Sequence, residues 1–142
     1  MIALALLILV NLWILQTTHE PHVLIELKHK YRILREHLAE TKNEKYSMLT
    51  KPIPLTGMKK MRETVGYNTN KGGEIVVCLD GTVNDVFHVL IHELAHCTVK
   101  EYSHSDLFWQ NYVELRDMCV KLGIYEQISE KKEFCGQHIQ DK

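Results

Sequence analysis

Three hydrophobic rhythms follow one another along the chain. Residues 1–16, MIALALLILVNLWILQ, are almost continuously apolar and broken only by Asn11. Extended through Thr18 as a helix, this run is about 27 Å long at 1.5 Å per residue, just short of a hydrocarbon core of about 30 Å. From Pro21 the rhythm changes. Leu24, Leu27, Tyr31, Leu34 and Leu38 recur at three- and four-residue spacing among Lys, Arg and Glu, which predicts an amphipathic helix that fades in TKNEKYS. The prolines of KPIPL impose an extended connector. Two short strand-like runs come next, Met61–Tyr67 and Glu74–Leu79, with the turn-rich Asn68–Gly73 between them; they predict a hairpin.

Beyond Gly81 the period returns to that of a helix. Thr82 or Asn84 offers a cap, with Asp85 in the first turn. Val86, Phe87, Leu90, Ile91, Leu94, Ala95 and Val99 then make an apolar side. A last helix, about Ser105–Leu122, puts Phe108, Tyr112, Leu115 and Cys119 on one face and is stopped by Gly123. Helix, hairpin, helix, helix is the order of a small α+β domain. The expected divisions are an apolar helix at 1–18, an amphipathic helix and connector at 19–50, a core at 51–130 and a tail at 131–142.

The apolar start lacks what a secretory signal needs: no Lys or Arg precedes it, and ILQTTH is a poor cleavage sequence. A buried helix and a membrane anchor are the other readings, and the anchor is the expectation. Lys28, Lys30, Arg32 and Arg35 follow the run, so the positive-inside rule places the rest of the chain on the cytoplasmic face. Cys78, Cys97, Cys119 and Cys135 form no C-x-x-C pair, which predicts free thiols in a reducing compartment. Cys97 directly follows His96 and therefore points elsewhere on the helix.

Composition adds little to this picture. With 142 residues, 45% hydrophobic and 25% charged, the chain has the balance of one folded domain. A net charge of −1 gives no global basic field, so a nucleic-acid partner is not supported. The charge is uneven: Lys51–Gly73 holds five basic residues and one acid, Glu74–Glu130 three basic and ten acidic. Such a contrast can steer a substrate, although a solvated surface looks the same.

The chemistry lies in HELAHCTVKEYSH, residues 92–104. His92 and His96 are one helical turn apart on one face, so both rings can reach a single Zn²⁺ at about 2.1 Å, with Glu93 beside them as the base. A catalytic zinc takes a third protein ligand. His104 is the first candidate, but eight further residues of unbroken helix would carry it about 12 Å away. The helix must therefore end near Lys100–Ser103 and the chain turn back, yet no glycine marks that turn. Glu114, Glu101 and Asp106 are the rival ligands. His88 lies too far along the helix to share the same ion and reads as a histidine that supports a ligand from behind or faces solvent. Tyr102 and Tyr112 are candidate donors to an oxyanion, and strand Glu74–Leu79 is a candidate edge for pairing with an extended peptide.

Lys51–Leu122 resembles the WLM-type metalloproteases, relatives of the SprT and Spartan group of minimal zincins. VGYNTNKGGEI is similar to the family's strand before the active helix, VLIHELAH to that helix, and HSDLFW to the histidine, acid and aromatic sequence after the turn. The resemblance implies a minimal zincin-like domain in which His92, His96 and His104 hold zinc and Glu93 is catalytic. The family's usual Gly-Pro turn is replaced here by the longer CTVKEYS. Such domains also occur in large DNA viruses, which would suit a virion-associated protein.

The function expected from sequence is that of a zinc-dependent metallopeptidase acting on a protein or peptide, with residues 1–18 held in a membrane or a protein assembly. The alternative is a membrane- or virion-associated assembly protein that keeps the fold with little or no turnover; a third reading is a secreted zinc protease with a cleaved signal, which paired cysteines would support.

Overall fold

The structure is a computed structural model and describes residues 1–142. Helix α1 spans Ile2–Thr17, and the chain then bends by 52° into α2, His22–Glu40. The buried residues of α2 are Leu24, Leu27, Tyr31, Leu34 and Leu38, the same five that the periodicity picks out. Its other face stays in water, so α2 forms one wall of the core. No residue of α1 is buried. No single helix is long and apolar enough to cross a membrane; α1 and α2 reach that length only together, as a bent pair.

A short 3-10 turn at Ser47–Thr50 brings Leu49 inward beside Tyr46. The chain then enters β1, Leu55–Met58. This strand grows out of the segment expected as a connector, because the extended backbone that Pro52 and Pro54 impose is already that of a strand. β2 (Gly66–Thr69) and β3 (Glu74–Cys78) form the expected hairpin, but β2 is displaced: of Met61–Tyr67 only Gly66 and Tyr67 are strand, and it runs on through Asn68 and Thr69, expected in the turn.

The sheet order is β1-β3-β2, with β3 parallel to β1 and antiparallel to β2. Strand β3 is therefore central, which corrects the expectation that Glu74–Leu79 offers a free edge. The physical reason is visible in IVVC: Ile75, Val76, Val77 and Cys78 are all buried, the pattern of a strand covered on both faces. The free edge on the side of the histidines belongs to β2.

Helix α3, Val83–His96, starts at Thr82 through a full capping box: the Thr82 hydroxyl accepts from the Asp85 N–H, and the Asp85 carboxylate accepts from the Thr82 N–H. Helix α4, Asp106–Lys121, packs on it, with the Ser105 hydroxyl accepting from the Phe108 N–H. Gly123 ends α4 at φ +71°, letting its own N–H reach the Val120 carbonyl and the Ile124 N–H reach Cys119.

Residues 131–142, expected as a tail, fold back as a hairpin of β4 (Lys132–Phe134) and β5 (Gln137–Ile139). Phe134 and Ile139 are buried in the core, and Lys132 pairs with Asp85 at 2.7 Å at the start of α3. Cys135 at the hairpin's tip is disulfide-bonded to Cys78 of β3. The reading of four free thiols thus holds only for Cys97 and Cys119. The bonded pair is 57 residues apart, which no local spacing rule detects. A structural disulfide belongs to oxidising surroundings, so the cysteines no longer argue for the cytoplasmic side.

Candidate metal centre

The site is built on α3, whose apolar residues are buried against α2, α4 and the sheet. That leaves His92 and His96 on its remaining side, half-buried, with the exposed His104 brought up to them by the chain beyond the helix. The His104 Nε2 lies 3.0 Å from the Nε2 of His92 and 3.1 Å from that of His96. One nitrogen from each of the three rings falls within 4.8 Å of the other two.

A single ring nitrogen carries either one hydrogen or one lone pair, so His104 Nε2 cannot serve both neighbours as ordinary hydrogen bonds. A cation shared by three lone pairs satisfies all of them. The donor set therefore fits a metal ion.

The electrostatics agree. Burial first, then the neighbouring His96, His104 and His88, holds His92 down to about 3. Burial followed by His104 and Lys71 lowers His96 as well. Both rings are thus neutral near pH 7, the state in which imidazole binds a metal. Glu93 is only 7% exposed, and burial pushes its carboxyl up to about 7.

The turn that sequence left unexplained is held by a lysine. Lys71 lies in the β2–β3 turn, where Asn70, Lys71 and Gly72 all take positive φ. Its Nζ donates to the carbonyls of Val99 at 2.6 Å and Glu101 at 2.5 Å, with His96 more distant at 3.5 Å. It therefore collects carbonyls past the end of α3, as a glycine cap otherwise would, and bends the chain toward His104. Thr98 adds a bond to the Ala95 carbonyl and receives the Asn111 amide. Asn68, on β2, donates to the Glu93 carbonyl at 3.1 Å and to Cys97 Sγ at 3.0 Å, which ties the edge strand to the helix and occupies Cys97. Gly66 permits this approach: a Cβ there would lie 2.6 Å from Val89 Cγ1.

The rival ligands are engaged elsewhere. Glu114 accepts from Lys45 and from the Tyr46 hydroxyl, each at 2.6 Å. Glu101 accepts from Ser105, and Asp106 opens α4; neither joins the converging group. Of the two tyrosines, Tyr102 lines the cleft beside Glu93 and His96, with Lys71 Nζ 4.5 Å from its ring centre. Tyr112 is buried and gives its hydroxyl to Asp141, so it has none to offer an oxyanion.

His88 is neither a ligand nor a surface residue. It is buried, with Nδ1 3.1 Å from the Tyr125 hydroxyl and 3.2 Å from Asp141 Oδ1. Burial alone would raise the Asp141 carboxyl, but His88, Tyr112, Tyr125 and the Ile128 N–H together bring it to about 2. Sequence reasoning missed Asn68, Lys71 and Asp141. Asn68 and Lys71 sit in a stretch legible only as a turn, and Asp141 in one read as tail.

Two cavities meet at Glu93. One, of about 250 Å³, is lined by Gly66, Tyr67, Asn68, Lys71, His96 and Tyr102. The other, of about 320 Å³, lies between Thr64–Gly66 of the chain entering β2, His92, Trp109 and His138–Gln140 of the C-terminal hairpin. Together they form a groove that runs along β2 and passes over the carboxylate.

No protein-family model matches the chain. It is similar to an uncharacterized protein of Acanthamoeba polyphaga mimivirus, 27% identical over 139 aligned residues that cover 84% of this chain and 71% of that one. Among solved structures it is similar to the metallopeptidase zymogen of Pyrococcus abyssi abylysin, at 22% identity and a TM-score of 0.42, covering 72% of this chain and 97% of that one.

Proposed function

We propose that the chain is a zinc-dependent metallopeptidase in which His92, His96 and His104 hold the metal and Glu93 is the general base. The observation that carries this reading is the convergence of three imidazole nitrogens within 4.8 Å beside a buried carboxylate. The likeness of VLIHELAH and HSDLFW to the WLM-type metalloproteases supports the same assignment. When bound, zinc supplies Lewis acidity, lowering the pKa of a coordinated water and polarising the scissile carbonyl.

The chain's own residues do the rest. Glu93, buried beside His92, takes a proton from the attacking water and returns it to the leaving amine. The free edge of β2 offers backbone donors and acceptors to an extended peptide lying in the groove. Tyr102 stands at the wall beside Glu93, where its hydroxyl could meet a developing negative charge.

The test is digestion of an unfolded protein mixture by the zinc-loaded full chain, with fragments read by mass spectrometry and Glu93→Gln alongside. The expected result is cleavage by the wild type and none by a variant that keeps its zinc. Equal cleavage by both would remove Glu93 from the mechanism. A zinc-loaded wild type that cleaves nothing would favour the assembly reading.

A further inference from the structure

Away from the cleft, helix α1 and the surface at its foot have no role in the reading above. α1 is apolar on every side and exposed on every side. Three polar side chains bond back to the helix's own carbonyls: Asn11 donates to Leu7 at 2.8 Å, Thr17 to Trp13 at 3.0 Å and Thr18 to Ile14 at 2.8 Å. A helix that docks on a protein carries an apolar stripe and keeps a polar side for water. α1 has no polar side along its length, Gln16 and Thr17 lying only at its end, and that is the pattern of a helix surrounded by hydrocarbon. Its axis is about 24 Å long.

A second feature reaches the same place from elsewhere in the sequence. From the last residue of β1 into the loop that follows, the chain reads Met58-Lys59-Lys60-Met61-Arg62. Lys59 and Lys60 share a cavity of about 370 Å³ with Pro21, His22 and Val23, at the bend where α1 leaves the domain. Lys59, Lys60 and Arg62 are exposed and none is ion-paired. Met58 is exposed among them. Asp80 is the one acid in that cavity wall, and Glu20 is already paired with Lys28. Because α2 is buried along its inner face, only the four residues Thr18–Pro21 separate a rigid domain from α1.

We infer that α1 inserts into a lipid bilayer and that the Met58–Arg62 loop docks on anionic lipid headgroups around its foot. A protein partner would have to wrap an apolar sleeve around the whole helix, whereas acyl chains surround it without design. The helix supplies insertion, and each basic residue of the loop near an anionic surface adds about 1 kcal/mol of attraction. The groove would then be held at a fixed attitude to the membrane surface. This inference does not depend on the metal or on turnover.

The test is flotation of the full chain, diluted from mild detergent onto phosphatidylcholine vesicles with and without phosphatidylserine. The wild type is expected to float with both, more tightly with phosphatidylserine, and to lose that increment at high salt. Lys59→Glu with Lys60→Glu and Arg62→Glu is expected to weaken binding to the phosphatidylserine vesicles by roughly tenfold or more, leaving phosphatidylcholine binding in place. Leu6→Glu with Leu9→Glu is expected to abolish flotation with either. Both sets lie on the surface, so far-ultraviolet circular dichroism and zinc content should match the wild type. A wild type indifferent to phosphatidylserine, or a triple variant that binds it undiminished, would overturn the headgroup contact. A Leu6, Leu9 variant that still floats would overturn insertion.

Discussion

Helices α1 and α3 are of similar length, and α1 is the richer in Leu, Ile and Val, yet none of α1 is buried while ten of the fourteen residues of α3 are. The difference lies in where their polar residues fall. In α3, Asn84, His88, His92 and His96 recur every fourth position and give the helix one side for chemistry and another for the core. In α1 one asparagine at mid-helix and Gln16 and Thr17 at the end leave no side distinct from any other. Apolar content draws a helix out of water, but the pattern decides whether a core can receive it. α3 is also fixed at both ends, by the Thr82 cap with the C-terminal hairpin at its start and by Lys71 beyond its end. α1 is fixed only by the bend into α2.

The sharpest break of that comparison is a pair of matched substitutions. Leu90 is fully buried, and Leu90→Asp places an unpaired carboxylate in the core; a loss of about 4 kcal/mol or more, enough to prevent folding, is expected in urea unfolding. Leu9→Asp in α1 should shift the same transition by no more than about 0.5 kcal/mol. A large loss there would mean that α1 is packed after all.

Next comes the bond that pins the hairpin near the start of α3. Its cysteines are 57 residues apart, and Cys135→Ser is expected to cost about 3 kcal/mol, the usual scale for closing a long loop. A cost near zero would show the hairpin to be held without it.

A smaller effect concerns the carboxylate that α3 buries. The Glu93 pKa is raised by burial from 4.5 to about 7, so the folded chain binds this proton more tightly than the unfolded one. Its contribution is full below pH 4.5 and is lost as pH rises through about 7. In metal-free protein, Glu93→Gln should therefore stabilise more above pH 7 than below pH 4.5, by up to about 3 kcal/mol. Equal thermal shifts at both ends would contradict that burial.

The mildest change is at the end of α3. Lys71→Met removes the donor from the Val99 and Glu101 carbonyls and should cost about 1–2 kcal/mol in stability. It should also weaken zinc binding roughly tenfold, because His104 is no longer held toward the pair. Zinc titration of the folded variant checks this, and undiminished affinity would mean that the turn holds itself.

Much of this architecture was legible because it rests on local periodicity. The five buried residues of α2, the capped start of α3, the apolar face of α4 and the stop at Gly123 each follow from spacing within a dozen residues or so. The His92, Glu93 and His96 group was legible for the same reason, as one turn of one helix. What escaped depends on parts far apart in sequence. The disulfide partner of Cys78, the burial of Phe134 and Ile139, and the Asp141 carboxylate at His88 all come from a segment with no periodicity of its own. Lys71 looked like any lysine in a turn, since its role is set by carbonyls about thirty residues later. The central position of β3 could be suspected from four consecutive buried residues, but its second partner, β1, was hidden behind two prolines.

The most direct test of the metal centre is the zinc content of the folded full chain, wild type beside His104→Ala, after exhaustive dialysis against buffer containing trace zinc. The expected result is about one zinc per chain in the wild type and little in the variant, with unchanged circular dichroism. A folded wild type that holds no zinc, or a His104→Ala chain that holds it as well as the wild type, would contradict the three-histidine site.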